Sequence, residues 1–318
     1  MAANVERKRM KVLVQTKDLS RQEWLKYRTL GIGGSDVSVI AGVNKFRSIF
    51  QLWLEKTGQE EVTESENDYT HFGNVLEPVV KKEFMKRTGL TVRAKRAILQ
   101  SEEYPFMLAD LDGVIYENGE MVIFEAKTAS AYKQEVWERG VPMEYILQIQ
   151  HYMAVTGAKK AYIAALVGGN HFYYHTLYRD DDLIDWIISM EKEFWENCVL
   201  GMQEPVADGS EATSAFLNER YESSNGKVIE LPEKALELCE SYDALTAQLK
   251  KLKEEKDAVT NQLKMYLQDN EVGKVGDRTV MWKSVKTTTF DKNRFASDNK
   301  ALYDEYCVAS QYRRLSVA

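Results

Sequence analysis

From Leu238 to Tyr266 apolar residues return in alternating steps of four and three: Leu238, Tyr242, Leu245, Leu249, Leu252, Val259, Leu263 and Tyr266, with Lys256 alone breaking the series. That heptad predicts a helix from about Glu233 to Gln268, roughly 50 Å long at 1.5 Å per residue. Upstream the periods are shorter. "SRQEWLKYRTLG" opens on Ser20 with Glu23 three residues on, a capping box, and runs into the glycine turn "GIGGSD". Ser35 then reads as the cap of a second helix, "SDVSVIAG". "SIFQLWLEKTG" places Ile49, Leu52, Trp53 and Leu54 on one face and closes at Gly58. "HFGNVLEPVVKKEFMKRTG" is a further helix, with Pro78 in or near its first turns and Gly89 at its end.

Strand patterns follow. "LTVRAKRAILQ" reads as one strand and "MLADLDGVI" as a second, interrupted by Asp112-Gly113. "MVIFEAK" is a third, central because it is almost wholly apolar, and Asn118-Gly119 between the last two marks a hairpin. "EYILQIQHYMAVTG" is helical, and "AKKAYIAALVGG" and "HFYYHTLYR" are strands. "DDDLIDWIISMEKEFWENCVLG" is an amphipathic helix with aspartates at its start. "EEVTESENDY" and "QEPVADGSEATS" are polar loops. "VGKVGDRTVMWKSVKTTTF" predicts a hairpin around Gly276-Asp277, and "DKNRFASDNKALYDEYCVASQYRRLSV" a short closing helix.

The expected class is therefore α/β: a central mixed sheet flanked by helices over residues 1–205. Residues 206–318 follow as an extension built from the long helix and a hairpin module.

Composition narrows the class of activity. The 318 residues are 44% apolar and 29% charged, the make-up of a globular protein with no apolar run long enough to span a bilayer. The first fifteen residues lack an apolar signal core, and Cys198, Cys239 and Cys307 are too scattered for a disulfide framework or a zinc site, so a reducing cytoplasm is expected. A net charge of −7 argues against a sequence-reading DNA-binding domain but is compatible with an enzyme holding nucleic acid in one basic channel.

The stretch "DLDGVIYENGEMVIFEAK", Asp110 to Lys127, concentrates the chemistry. Residues two apart on a strand share a face, so Glu125 and Lys127 point together, and the hairpin can bring Asp112 alongside. Two close carboxylates form a hard oxygen site suited to Mg²⁺ or Mn²⁺. The Ala126 carbonyl could add a ligand, and a lysine beside such an ion can orient an attacking water. Alone, the pattern fits a turn and an edge ion pair better, although the apolar "MVIF" before Glu125 speaks against a solvated edge. Asp110, on the face of Asp112, is its rival. Glu77 on its helix could reach the same point. Gln148 or Gln150, in an apolar helix, needs a buried partner. Arg28 and Ser35 flank the glycine turn, which fits either a pocket for phosphate or a plain helix–turn–helix junction. His71, His151, His171 and His175 show no metal-binding spacing and read as structural.

Taken in order, "WLKYRTLGIGGSD", "QLWLEKTG", "FGNVLEP", "LADLDG", "FEAKTA" and "YILQIQHYMAVTG" resemble the YqaJ-like viral recombinases, relatives of the lambda-type phage alkaline exonucleases, across residues 20–200. The tail "VMWKSVKTTTFD…YRRLSV" resembles extensions on YqaJ-like members. The resemblance implies a restriction-endonuclease-like PD-(D/E)xK core. It implies Mg²⁺-dependent 5′→3′ digestion of one strand of linear double-stranded DNA, giving 3′ single strands for recombination by annealing. In that reading Asp112, Glu125 and the Ala126 carbonyl bind metal, Glu77 supports a second ion, Lys127 assists the attacking water, and Gln148 positions water or lysine. Arg28 and Ser35 hold the 5′-phosphate. Ala126 departs from the more usual Leu or Val. A single-strand annealing protein as partner, a homo-oligomer such as a trimeric ring, and a phage or prophage origin follow from the same resemblance. Two alternatives stand beside it: a structure- or sequence-specific endonuclease on the same fold, and a non-catalytic protein that binds a partner through the heptad helix.

Overall fold

A computed structural model of the chain describes residues 10–61, 67–308 and 312–317. The reading of residues 1–9 as free of a leader, and parts of the acidic loop and of the closing segment, lie outside the described residues. The chain divides into two compact units, Met1–Glu219 and Arg220–Ala318.

The first unit runs β1 (Met10–Gln15), α1 (Arg21–Thr29), β2 (Ile32–Gly33), α2 (Gly34–Ile40), α3 (Ile49–Lys56) and α4 (Asp68–Thr88). It continues with β3 (Ala97–Ser101), β4 (Met107–Asp110), β5 (Gly113–Glu117), β6 (Glu120–Ala129), α5 (Gln134–Arg139) and α6 (Met143–Thr156). β7 (Lys160–Val167), β8 (His171–Tyr178), α7 (Asp181–Glu193) and α8 (Glu211–Arg220) complete it. The α/β class expected from the sequence is present: mixed sheets flanked by helices.

The single central sheet is not. There are two four-stranded sheets, in the orders β1-β3-β4-β2 and β5-β6-β7-β8. The cause lies in the segment read as one interrupted strand. The chain leaves the first sheet after Asp110, turns through Leu111 and Asp112, and enters the second at Gly113. Gly113 is required there, because a Cβ would meet Val92 Cγ1 at 2.4 Å.

In the second sheet β5 and β6 pair antiparallel, with Glu117 opposite Glu120 across a two-residue turn. Asn118 (φ 51°) and Gly119 (φ 82°) both take the left-handed backbone that such a turn demands. β6 then pairs parallel with β7 through α6, so β6 is central and buried on both faces. One face, Val122 and Phe124, packs on Val80 and Phe84 of α4. The other, which begins with Ile123, packs toward Leu147 and Ile149 of α6. Glu125 and Lys127 continue this second face.

Other expectations shift. Of "LTVRAKRAILQ" only the last four residues, from Ala97, are strand, in β3; the cationic part before them makes one isolated bridge, Arg93 to Val114. β1, β2, α5 and α8 were not foreseen. Pro78 sits mid-helix in α4, which begins at Asp68 behind an Asn67 cap. The amphipathic helix near the end of the unit widens to π-helical hydrogen bonding over Phe194–Leu200.

In the second unit α9 (Lys234–Leu267) spans the heptad. β9 (Val272–Val275) and β10 (Arg278–Met281) form the expected hairpin, and the closing segment holds two short helices, α10 (Lys292–Asp298) and α11 (Lys300–Tyr306). Among the described residues no helix is long and apolar enough to cross a membrane.

Candidate active site

Antiparallel pairing of β5 with β6 sets Gly113 opposite Phe124, which brings Asp112 level with Glu125. Asp112 Oδ2 accepts the backbone N–H of Ala126 at 2.8 Å. Glu125 is 2% exposed. Its Oε1 accepts from Lys127 Nζ at 2.7 Å and from Gln148 Nε2 at 2.7 Å. Its Oε2 is buried with no hydrogen-bond partner among the described residues. Burial, and then Glu125, push the Asp112 carboxyl well above the usual carboxylate range. Burial also raises Glu125, against the opposing pull of Lys127. The same burial would strip Lys127 of its proton, but Glu125 and Asp112 outweigh it and hold the ammonium protonated beyond the ordinary lysine range.

The helices complete this wall. Gln148 on α6 also donates to the hydroxyl of Tyr152, one turn on, at 3.1 Å. The Tyr152 ring lies so close to Gly34 that a Cβ there would meet it at 2.5 Å. Tyr145 lies 5.0 Å from the Lys127 ammonium, ring centre to nitrogen, in cation–π contact. On α4, Glu77 Oε1 accepts from Lys81 Nζ at 3.2 Å, and the same ammonium donates to the Asp112 carbonyl at 2.7 Å. Gln150, the other glutamine considered, points away and bonds the Tyr178 carbonyl at 2.7 Å.

Arg28 and Ser35 flank the glycine turn beside this wall. Arg28 Nη2 donates to Ser35 Oγ at 2.8 Å. Ser35 is not the cap of α2: Gly33 holds that position, and its N–H donates to Asp36 Oδ2 at 3.0 Å. Asp110 is held by the indole of Trp24, whose Nε1 donates to Oδ2 at 2.7 Å. Its side chain is therefore directed to α1 while Asp112 is tied to β6. One cleft of about 430 Å³ is lined by Arg28 and Ser35 and by Glu77, Asp112, Glu125 and Lys127.

His151, read as structural, is buried between Glu191 (Nδ1 to Oε1, 2.7 Å) and the Leu108 carbonyl (Nε2, 2.8 Å). His175 packs on Trp137 and does not reach the cleft.

A model of the YqaJ-like viral recombinase domain matches residues 23–159, which span every residue of the cleft named above. An uncharacterised protein of Bacillus subtilis (strain 168), YqaJ, is 41% identical over 314 residues, covering 98% of this chain and 98% of its own. The chain belongs to the YqaJ-like viral recombinase family. It is also similar to two solved structures. One is the alkaline exonuclease LHK-Exo from Laribacter hongkongensis, in complex with dAMP: 22% identity, TM-score 0.48, 63% of this chain and 98% of that one. The other is a phage-related exonuclease from Haemophilus somnus 129PT: 17% identity, TM-score 0.42, 57% and 100% coverage.

The donor set of this YqaJ-like protein fits a hard divalent cation. Asp112 and Glu125 are adjacent and desolvated, Glu77 adds a third negative charge, and one oxygen of Glu125 is an unpartnered acceptor. A buried carboxylate oxygen without a partner is costly, and a cation removes that cost. Among the described residues no three His, Cys, Asp or Glu groups close into a ligand cage. The site is a carboxylate pair with Glu77 at its edge.

Trp24, Lys81, Tyr145 and Tyr152 were missed from the sequence. Lys81 and Tyr152 carried a readable signal, each lying four residues beyond a candidate on the same helix face. Trp24, four residues before Arg28, and Tyr145, three before Gln148, carried the same signal, but nothing local showed the bond from Trp24 to Asp110.

Proposed function

We propose that the protein is a Mg²⁺-dependent 5′→3′ exonuclease that resects linear double-stranded DNA, leaving 3′ single strands for recombination by annealing. The observation that carries the reading is the sharing of one cleft by the carboxylate–lysine group and the Arg28–Ser35 pair. A hydrolytic centre and an anion seat lining one cleft suit a duplex end whose 5′-phosphate is anchored while the adjoining phosphodiester is cut.

Asp112, Glu125 and the Ala126 carbonyl would hold the first ion and Glu77 a second, with Mn²⁺ as a substitute for Mg²⁺. Bound there, the metal supplies a water of lowered pKa and a counter-charge for the leaving oxygen. Lys127, on the face of Glu125, would orient a water there and offset negative charge developing on the phosphate. Gln148 keeps Glu125 Oε1 engaged, which leaves Oε2 as the free donor. Arg28 and Ser35 offer charged and hydroxyl donors to the terminal phosphate. We further propose that it works in a phage or prophage context in the host cytoplasm, beside a single-strand annealing protein and as a homo-oligomer.

Linear duplex labelled at one 5′ end tests this directly. Mononucleotide release from the 5′ end that stops on chelation supports the reading. Cleavage of a covalently closed circle points to an endonuclease instead, and no Mg²⁺-dependent nucleotide release points to a protein that acts by binding alone.

A further inference from the structure

We infer that Lys56 is a positioning residue for the pocket at Arg28 and Ser35, holding the turn between α1 and α2 so that both groups face the cleft. The inference rests on reading that pocket as the seat of a 5′-phosphate. Lys56 lies on α3, outside the cleft, with 4% of its side chain exposed. A buried ammonium needs an acceptor for each of its three protons, and Lys56 has them. Nζ donates to the Arg28 carbonyl at 2.8 Å, to the Gly31 carbonyl at 2.6 Å and to Asp36 Oδ2 at 2.7 Å.

The first two acceptors belong to the end of α1 and to the glycine turn, and the third opens α2. One side chain therefore ties together the three segments that present Arg28 and Ser35. The turn has little room to adjust otherwise, since a Cβ on Gly31 would meet the Phe106 carbonyl oxygen at 2.4 Å. Asp36 works from the same point: its Oδ2 also accepts from Gly33 N–H, and its Oδ1 accepts from Arg47 Nη1 at 2.8 Å. Arg47 in turn pairs with Glu55.

Charge accounting gives Lys56 a second influence. Three cations, Lys56, Arg47 and Arg28, stand against two carboxylates, Asp36 and Glu55. Arg28 is the member of this group that lines the cleft, with 27% of its side chain exposed, and there it also faces Asp110. Its Nη2 stands 3.9 Å from Asp36 Oδ1, short of a hydrogen bond. With Lys56 neutralised, Asp36 draws Arg28 inward to replace the lost charge. The turn loosens and the cation of the pocket is consumed together.

The test is the rate ratio between linear duplexes with 5′-phosphate and 5′-hydroxyl ends, with kcat and KM resolved. The wild type should favour the phosphate by about tenfold or more, the effect of a charge-assisted hydrogen bond. Lys56→Met should bring the ratio close to one, through a higher KM for phosphorylated ends. Glu117→Gln, which weakens an ion-pair cluster with Lys160 and Tyr162 outside the cleft, should lower the melting temperature and keep the wild-type ratio. A Lys56→Met protein with the wild-type ratio overturns the inference and leaves the phosphate seat standing. A wild-type ratio of one removes the phosphate seat and the inference with it. If the methionine variant does not fold, Lys56→Arg is the probe: it keeps a cation opposite Asp36 but replaces the compact ammonium that serves both carbonyls. The ratio should fall there too, and an unchanged ratio overturns the inference equally.

Discussion

Gln148 donates to Glu125 Oε1 at 2.7 Å, the oxygen that Lys127 also holds. Two donors on one oxygen leave the other oxygen of a buried carboxylate unspent. Gln148 therefore decides which face of Glu125 is available to a metal. Gln148→Leu keeps the size of the side chain and removes this bond and the one to Tyr152. Loss of hydrogen bonds to a buried charged group should cost about 1–3 kcal/mol of stability. The expected result is a melting temperature lower by a few degrees and a markedly reduced kcat for nucleotide release. An unchanged kcat would show that the orientation of Glu125 does not depend on this bond.

Lys127→Ala should abolish nucleotide release, by about two orders of magnitude or more, because a preorganised charge aimed at a phosphate is removed. The far-UV circular dichroism should not change, since Lys127 caps no helix and its backbone remains paired with Ala165. Full activity in this variant would exclude the hydrolytic centre from this cleft.

These two residues mark how far the chain could be read before its structure. The hairpin that aligns Asp112 with Glu125 was legible because both of its causes are local: period-two alternation and an Asn-Gly pair. The split into two sheets was not, because the break at Leu111-Asp112 changes which partners a strand meets without changing its alternation. Glu77, Asp112, Glu125, Lys127 and Gln148 were legible as a set through their order along the chain. Trp24 was not, for its bond to Asp110 joins residues 86 apart. Lys56 was not singled out in the sequence; its burial follows only from the docking of α3 against the glycine turn. The heptad predicted a long helix correctly, but Leu245, Leu249 and Leu252 remain exposed on α9, so periodicity did not tell what they meet.

Metal binding should be visible in stability as well as in activity. A ligand that binds only the folded state stabilises it in proportion to the logarithm of its concentration over Kd. Thermal melts in rising Mg²⁺ should move upward for the wild type, and chelation should reverse the shift. Asp112→Asn should flatten the response and could melt higher than wild type without metal, since it removes one charge from a desolvated pair. A Mg²⁺ response in Asp112→Asn equal to that of the wild type would place the ion elsewhere.

Acid should unfold the first unit through Asp36. Burial alone would raise this carboxyl, but Lys56, Arg47 and Arg28 together hold it well below the ordinary carboxylate range. Its folded pKa is thus depressed relative to an unfolded value of about 3.9. A depressed carboxyl contributes stability that is fully present above the unfolded pKa and declines as pH falls towards the folded value. Urea midpoints should therefore hold between pH 7 and 5 with respect to this group and drop below about pH 4. Asp36→Asn keeps an acceptor for the Gly33 N–H but cannot titrate, so its midpoint should start lower at pH 7 and lose less between pH 5 and pH 3. Parallel losses in the two proteins over that interval would assign the acid sensitivity to other carboxylates.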